Sequence, residues 1–444
     1  MRVRGRVVAL IAGAAVLVAA GLVLAPTSQA AVTVTCSAPA WAEGTSYRIG
    51  DQVTYGGRLY QALQANTPPV GAGWTPPAVP ALWKDLGACT GTPPTTPPPT
   101  TQGPPPTTPP PTTAPPTSPP PTSPGGTTCA VRSRPAGKVL QGYWENWDGA
   151  SNGVHPGLGW IPITDSRIAA HGYNVINAAF PVILSDGTVL WQDGMDAGVK
   201  VATPAQMCQA KAAGATILMS IGGAAAGIDL SSSAVADKFV ATVVPILKRY
   251  NFDGIDIDIE TGLTGSGNIT TLSVSQANLV RIIDGVLAQM PSNFGLTMAP
   301  ETAYVTGGSV TYGSIWGAYL PIVKKYADNG RLWWLNMQYY NGSMYGCSGD
   351  SYQAGTVQGF TVQTTCLNTG LVVQGTTIRV PYDKQVPGLP AQPGAGGGYM
   401  TPSLVSQAYN SFGTSLKGLM TWSVNWDGSK GWTFGDNVKS LQHR

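Results

Sequence analysis

From Lys138 onward the chain alternates between two hydrophobic rhythms. Short runs with apolar residues at every second position, or apolar throughout, recur as "KVLQGYWENW", "NVINAAF", "ATILMSIGG", "FDGIDIDIE", "GLTMAPE", "LWWLNMQYYN", "KQVPGLPA" and "LKGLMTWSVNWD". Each ends in polar or small residues, and a period of two is the mark of a strand. Between them lie amphipathic stretches such as "SAVADKFVATVVPILKRY" and "SVSQANLVRIIDGVLAQM". In the first, Val235, Phe239, Val243 and Ile246 fall on one helical face; Ser273 to Gln276 reads as the capping box that starts the second. Eight such runs alternating with helices predict an α/β fold, a (β/α)8 barrel. A doubly wound open sheet is the competitor. The count of eight and the chemistry at the run ends favour the barrel.

The fourth run departs from ordinary strand composition. Asp253, Asp256, Asp258 and Glu260 interleave with Ile255, Ile257 and Ile259. A solvated acidic face does not explain this, because the isoleucine face still needs a core and unpaired buried carboxylates cost several kcal/mol each. In a barrel the isoleucines face the helix layer, and Asp256, Asp258 and Glu260 form one inward column with Glu260 nearest the C-terminal mouth. Asp253 has the opposite parity and lies deeper, in a supporting role. Carboxyls this close raise one another's pKa, which suits a group that must stay protonated near neutral pH. Glu260 is the expected acid.

The N-terminal part of the chain has a different texture. Residues 1–30 combine the basic start "MRVRGR", the apolar run "VVALIAGAAVLVAAGLVLA" and the small residues "SQA", the pattern of a removable signal peptide rather than a membrane anchor. The protein is therefore expected to be secreted, extracellular and free of the membrane after cleavage. Residues 31–89 hold short strand-like runs, "QVTYGG" and "RLYQALQA", separated by Gly and Pro turns, as in a small all-β module. Residues 90–128 are a Pro/Thr-rich linker with almost nothing apolar to bury, and residues 129–444 carry the barrel. With three tryptophans, the small module has more large rings than so short a segment can bury fully. Trp41 and Tyr55 are assigned to its core, and Trp74 and Trp83 to an exposed face where indole planes stack on sugar rings.

Composition narrows the partners. Only 11% of residues are charged and the net charge is +3 without a Lys/Arg run, so nucleic acid is not expected. The six cysteines of an exported chain predict disulfides, with Cys36–Cys89, Cys129–Cys208 and Cys347–Cys366 as the favoured pairing. Three histidines and no CxxC spacing leave no basis for a metal site, and no cofactor is expected. A monomer is expected.

Two resemblances add to this. "GDQVTYGGRLYQAL" and "GWTPPAVPALW" make the small module similar to the chitin-binding modules of carbohydrate-binding families 5 and 12, although "LQ" follows "YQA" where many members have a Trp pair. The run "DGIDIDIE" fits the DxxDxDxE signature of glycoside hydrolase family 18, the chitinases and relatives. "SIGG", "MAPE", "QYYN" and "MTWS" reinforce it, in wording similar to a bacterial enzyme with a plain barrel.

The resemblance implies a retaining chitinase acting on chitin and N-acetylglucosamine oligosaccharides, in which the sugar's own 2-acetamido oxygen is the nucleophile. Glu260 would be general acid and then base. Asp258 would orient the acetamido N–H and share a proton with Asp256, and Tyr340 would hold the acetamido carbonyl. Tyr143, Ser220, Asp253, Met298, Gln338, Asn341 and Trp422 complete the expected substrate-binding set, with Tyr143 and Ser220 near Asp256 and Trp422 as a sugar floor. Tyr339, by parity, packs outward. Trp144, Trp147, Trp333, Trp334 and Trp426 either extend the groove or pack ordinarily. The competing functions are an endo-β-N-acetylglucosaminidase and a non-catalytic lectin. The presence of Glu260, Asp258 and Tyr340 argues against the second.

Overall fold

The computed structural model describes residues 33–42, 45, 47–48, 50–62, 75–77, 83–90, 127–147, 158–196, 198–224 and 227–444. The expected signal peptide, nearly all of the linker and Trp74 lie outside the described residues. The chain divides into two compact units, one within residues 1–116 and one within 117–444.

The larger unit contains all eight expected strands. They are β1 (Val139–Glu145), β2 (Val175–Ala179), β3 (Thr216–Gly222), β4 (Gly254–Asp258), β5 (Gly295–Met298), β6 (Trp334–Leu335), β7 (Gly388–Pro390) and β8 (Gly418–Trp422). They pair in parallel in the order β6-β5-β4-β3-β2-β1-β8-β7. Parallel bridges Leu335↔Gln385 and Gln338↔Gly388 join the sixth strand to the seventh and close the ring.

Helices cover the outside. Helix α1 (Ser233–Arg249) buries Ala236, Phe239, Val240, Val243, Val244 and Leu247, while Val235 and Ile246 are only partly buried. Its inner face is thus rotated slightly from the sequence expectation, because it packs at once on the sheet and on helix α2 (Val274–Leu287). The capping box at the start of α2 is present: Ser273 Oγ accepts from Gln276 N–H and Gln276 Oε1 from Ser273 N–H, at 3.1 and 2.9 Å.

Two cores follow from the alternation. Ile255, Ile257 and Ile259 point outward into the layer shared with Phe239, Val243, Leu279 and Ile282. Inside the ring Val139, Val175, Leu218, Trp334, Val386 and Met420 fill the axis below the acids. Trp144 belongs to the outer core, and Trp333 and Trp334 to the inner one, so all three pack ordinarily; Trp426 rests partly buried against the outer core.

The smaller unit is a four-stranded sheet in the order Thr33–Thr35, Trp83–Thr90, Arg58–Ala62, Gln52–Tyr55. The three expected disulfides are formed, and Cys36–Cys89 ties this sheet together. Trp83 is a correction. It opens a strand opposite Ala62 and its ring packs edge-on against Tyr47 at 5.0 Å, leaving it 2% exposed. The Pro-rich stretch before it disguised the strand start. The half-buried aromatic pair is instead Trp41 and Tyr55, edge to face at 5.3 Å.

Candidate active site

The inward column of β4 sits at the C-terminal mouth of the ring. Asp256 is fully buried and accepts four hydrogen bonds. Tyr143 Oη (2.6 Å) and Ser220 Oγ (2.9 Å) donate to Oδ2; Thr297 Oγ1 (2.6 Å) and Asn336 Nδ2 (3.0 Å) donate to Oδ1. Burial pushes its carboxyl up, against the pull of those donors. Asp258 is held well above the ordinary carboxylate value by burial first, then by the charges of Glu260 and Asp256. Glu260, two residues beyond the strand end, is raised by burial, with the neighbouring Glu301 adding to it. Gln338 bridges them: its Nε2 lies 2.9 Å from Asp258 Oδ1, 3.0 Å from Glu260 Oε1 and 3.1 Å from Ala299 O.

The acids open into a cleft of about 580 Å³ whose lining includes Asp258, Glu260, Gln338, Tyr340, Asn341 and Trp422. Trp422 stacks with Phe180 at 6.0 Å and lies 6.2 Å from Trp147, so Trp147 is a groove residue. The Tyr340 phenol is pushed far up by burial and by Asp258, Glu260 and Glu301, and stays a hydrogen-bond donor. Tyr339 packs outward against Phe360, with its hydroxyl 3.0 Å from Thr364. Asn341 adopts φ 62° and its Oδ1 accepts from Gly397 N–H at 2.7 Å. The "SIGG" glycines let β3 approach the column. A Cβ on Gly222, at φ +117°, would fall 2.2 Å from Asp258 O.

Two expected site residues are elsewhere. Asp253 lies at the opposite, N-terminal end of β4, where its carboxylate pairs with Lys211 Nζ at 2.6 Å and accepts from the N–H groups of Arg132 and Ile217. It lies at the floor of the barrel, away from the cleft. Met298 pairs in register with Ile257 and points, like it, into the outer core. Its neighbour Thr297 points inward instead. Sequence reasoning missed Thr297, Asn336 and Glu301. The first two were signalled by polar residues alternating with Leu296 and Met298, and with Leu335 and Met337.

Comparison with known proteins bears on this geometry. Residues 139–309 match the glycosyl hydrolases family 18 pattern and residues 40–84 that of carbohydrate-binding module family 5/12. The chain is 83% identical over 312 residues to Endochitinase 4 of Metarhizium robertsii, which spans 70% of this chain and 90% of that protein. The chain belongs to glycosyl hydrolase family 18. It is also 81% identical over 311 residues to Endochitinase 37 of Trichoderma harzianum, covering 70% of this chain and 92% of the relative. The solved family 18 chitinase of Chromobacterium violaceum superposes with a TM-score of 0.60 at 28% identity, covering 92% of this chain and all of that one. Since the relatives at 81% and 83% identity are fungal, the narrower resemblance to a bacterial enzyme is not supported, and family 18 as a whole is.

Proposed function

We propose that this chain is a chitinase that hydrolyses β-1,4-linked N-acetylglucosamine polymers with retention, using the substrate's acetamido group as nucleophile. The observation that carries the reading is the column itself. Four donors fix the Asp256 carboxyl, and burial, with the charges of Glu260 and Asp256, holds Asp258 well above the ordinary carboxylate value beside Glu260 at the cleft. Asp258 shares its proton with Asp256 before catalysis and turns toward Glu260 during it, holding the substrate's acetamido N–H, while Tyr340 donates to the acetamido carbonyl.

As that carbonyl oxygen bonds to C1, the C1–O4 bond breaks and the Glu260 proton passes to O4. The oxazolinium ion is opened by water at C1, and Glu260 takes the water proton back. Trp422 floors the reacting sugar. The names of the two fungal relatives, both endochitinases, support chitin as substrate and cutting within the polymer.

The test is chemical. Fully N-acetylated oligomers should be cut with β-configured sugar released first, and de-N-acetylated oligomers of equal length should resist. Equal rates on both, or α-sugar first, sinks the mechanism.

The small module anchors the enzyme on insoluble polymer. With Trp83 in its core, the sugar-stacking role rests on Trp74, as the sequence suggests, and on the half-buried Trp41 and Tyr55. Trp41→Ala should weaken adsorption to crystalline chitin and spare soluble oligomers; unchanged adsorption rejects the assignment. Export is part of the same reading, supported by the leader sequence and three disulfides. Among the described residues no helix is long and apolar enough to cross a membrane.

A further inference from the structure

The barrel ladder stops short of the acid. On β4 the even-numbered residues bond toward β3 and the odd-numbered ones toward β5: Gly223 N–H donates to Asp258 O at 2.7 Å and Ala299 N–H to Ile257 O at 2.9 Å. The next residue on the β5 side is Ile259, which is buried, and β5 itself ends at Met298. A buried peptide needs partners for both its N–H and its C=O. One phenol supplies them. Ile259 N–H donates to Tyr319 Oη at 3.0 Å, and Tyr319 Oη–H donates to Ile259 O at 2.9 Å. The hydroxyl stands where a neighbouring strand would present its own C=O and N–H.

A second phenol acts one residue further on. Tyr304 Oη donates to the backbone carbonyl of Glu260 at 2.7 Å. Both tyrosines come from the segment after β5. Their rings meet edge to face at 6.0 Å, Tyr319 N–H donates to Tyr304 O at 2.9 Å, and both side chains are buried. Burial keeps both phenols protonated at any working pH, Tyr304 being pushed up to about 12.

We infer that Tyr304 and Tyr319 are positioning residues for the general acid: they extend the ladder past the end of β4 and fix the 259–260 backbone, so that the Glu260 carboxyl meets the leaving-group oxygen. Neither touches the reacting atoms. The inference rests on the reading of Glu260 as acid. A displacement of about 1 Å at such a group costs on the order of 100-fold in rate.

The test separates positioning from general damage through the leaving group. Departure of a sugar hydroxyl needs a proton, whereas departure of 2,4-dinitrophenolate does not. Values of kcat/KM, which report the first bond cleavage, are compared on a chitin tetramer and on the dinitrophenyl glycoside of its dimer. Tyr304→Phe should lose about 10- to 100-fold on the tetramer, with KM within about 2-fold, and less than about 3-fold on the aryl glycoside. Tyr319→Phe, a second variant, should show the same split. Equal losses on both substrates, or no loss on either, overturns the inference. Glu260→Gln is run beside them. If it splits the substrates and the tyrosine variants do not, only the positioning role falls; if Glu260→Gln shows no split, the acid reading falls and takes this one with it.

Discussion

Asp253 and Asp256 lie three residues apart on one strand segment, neither with exposed surface, and the protein accommodates them in opposite ways. At the floor of the barrel Asp253 has a cation, Lys211, and two backbone donors, so its charge is matched on the spot. At the mouth, Asp256, Asp258 and Glu260 have hydroxyls and amides, and among the described residues no lysine or arginine pairs with them. Hydrogen bonds fix Asp256 there, yet burial raises all three carboxyls, and Asp258, which also faces the charges of Glu260 and Asp256, is held well above its ordinary value. The floor is built for stability. The mouth keeps charge unmatched so that protons remain available for transfer.

The largest effect that tests this contrast is at Glu260. Glu260→Gln should lower kcat/KM on chitin oligomers by about 10²- to 10⁴-fold, the usual worth of a general acid. Adsorption to chitin should be unchanged and the thermal midpoint should not fall. Near-normal turnover would move the acid elsewhere. At the floor the sign reverses. Lys211→Met strands the Asp253 charge in a dry site and should destabilise the unit by about 3–5 kcal/mol. Urea unfolding measures this, and kcat of the folded protein should stay near its original value. If Lys211→Met cost nothing in stability, the floor pair would not be the structural half of the comparison.

Much of this contrast was legible in the sequence, and parity decided where it was not. The β4 alternation located Asp256, Asp258 and Glu260 because isoleucines mark the other face without ambiguity. It also set Asp253 apart, yet the partner that makes Asp253 structural, Lys211, is distant in sequence and no local pattern announces it. Met298 was drawn into the site by its motif, although its own parity points outward. Thr297 and Asn336 carried the inward signal but sit in strands whose ends were blurred by Trp and Pro. Trp83 failed for a related reason, since composition marked a loop where pairing with Ala62 makes a strand. Tyr304 and Tyr319 fall in a Gly-rich connection, and their role depends on where the loop returns.

A middle-sized effect belongs to Asp256. An asparagine at this position must turn an NH2 toward two of the present donors. The hydroxyls of Tyr143 and Ser220 can rotate to accept from it, whereas the Asn336 amide group on the other oxygen cannot. The amide should therefore face Tyr143 and Ser220, at a cost of about 1–3 kcal/mol. Denaturant titration of Asp256→Asn checks the cost. No change in stability would mean that the four bonds are not holding a carboxylate.

The smallest effect is the most pointed, because its sign separates the mouth from the floor. The folded state raises the Asp258 pKa above its ordinary value of 3.8, through burial and through the charges of Glu260 and Asp256. A carboxyl raised in this way contributes stability that is fully present below the unfolded pKa and lost as pH climbs through the folded one. A side-chain amide in its place has no proton to lose. Asp258→Asn should therefore match the parent near pH 4 and become the more stable protein as pH rises toward 7. The gap can grow by no more than about 1.4 kcal/mol per pH unit, and it levels off once the folded pKa is passed. The variant Asp253→Asn makes the control: burial raises this carboxyl too, but an asparagine there leaves the buried Lys211 ammonium without its counter-charge, which should lower stability at pH 7. Urea midpoints at pH 4, 5.5 and 7 read both. A gap that stays flat or shrinks with pH would mean that Asp258 is as well matched as Asp253, and the division of the strand into a paired floor and a charge-strained mouth would fail.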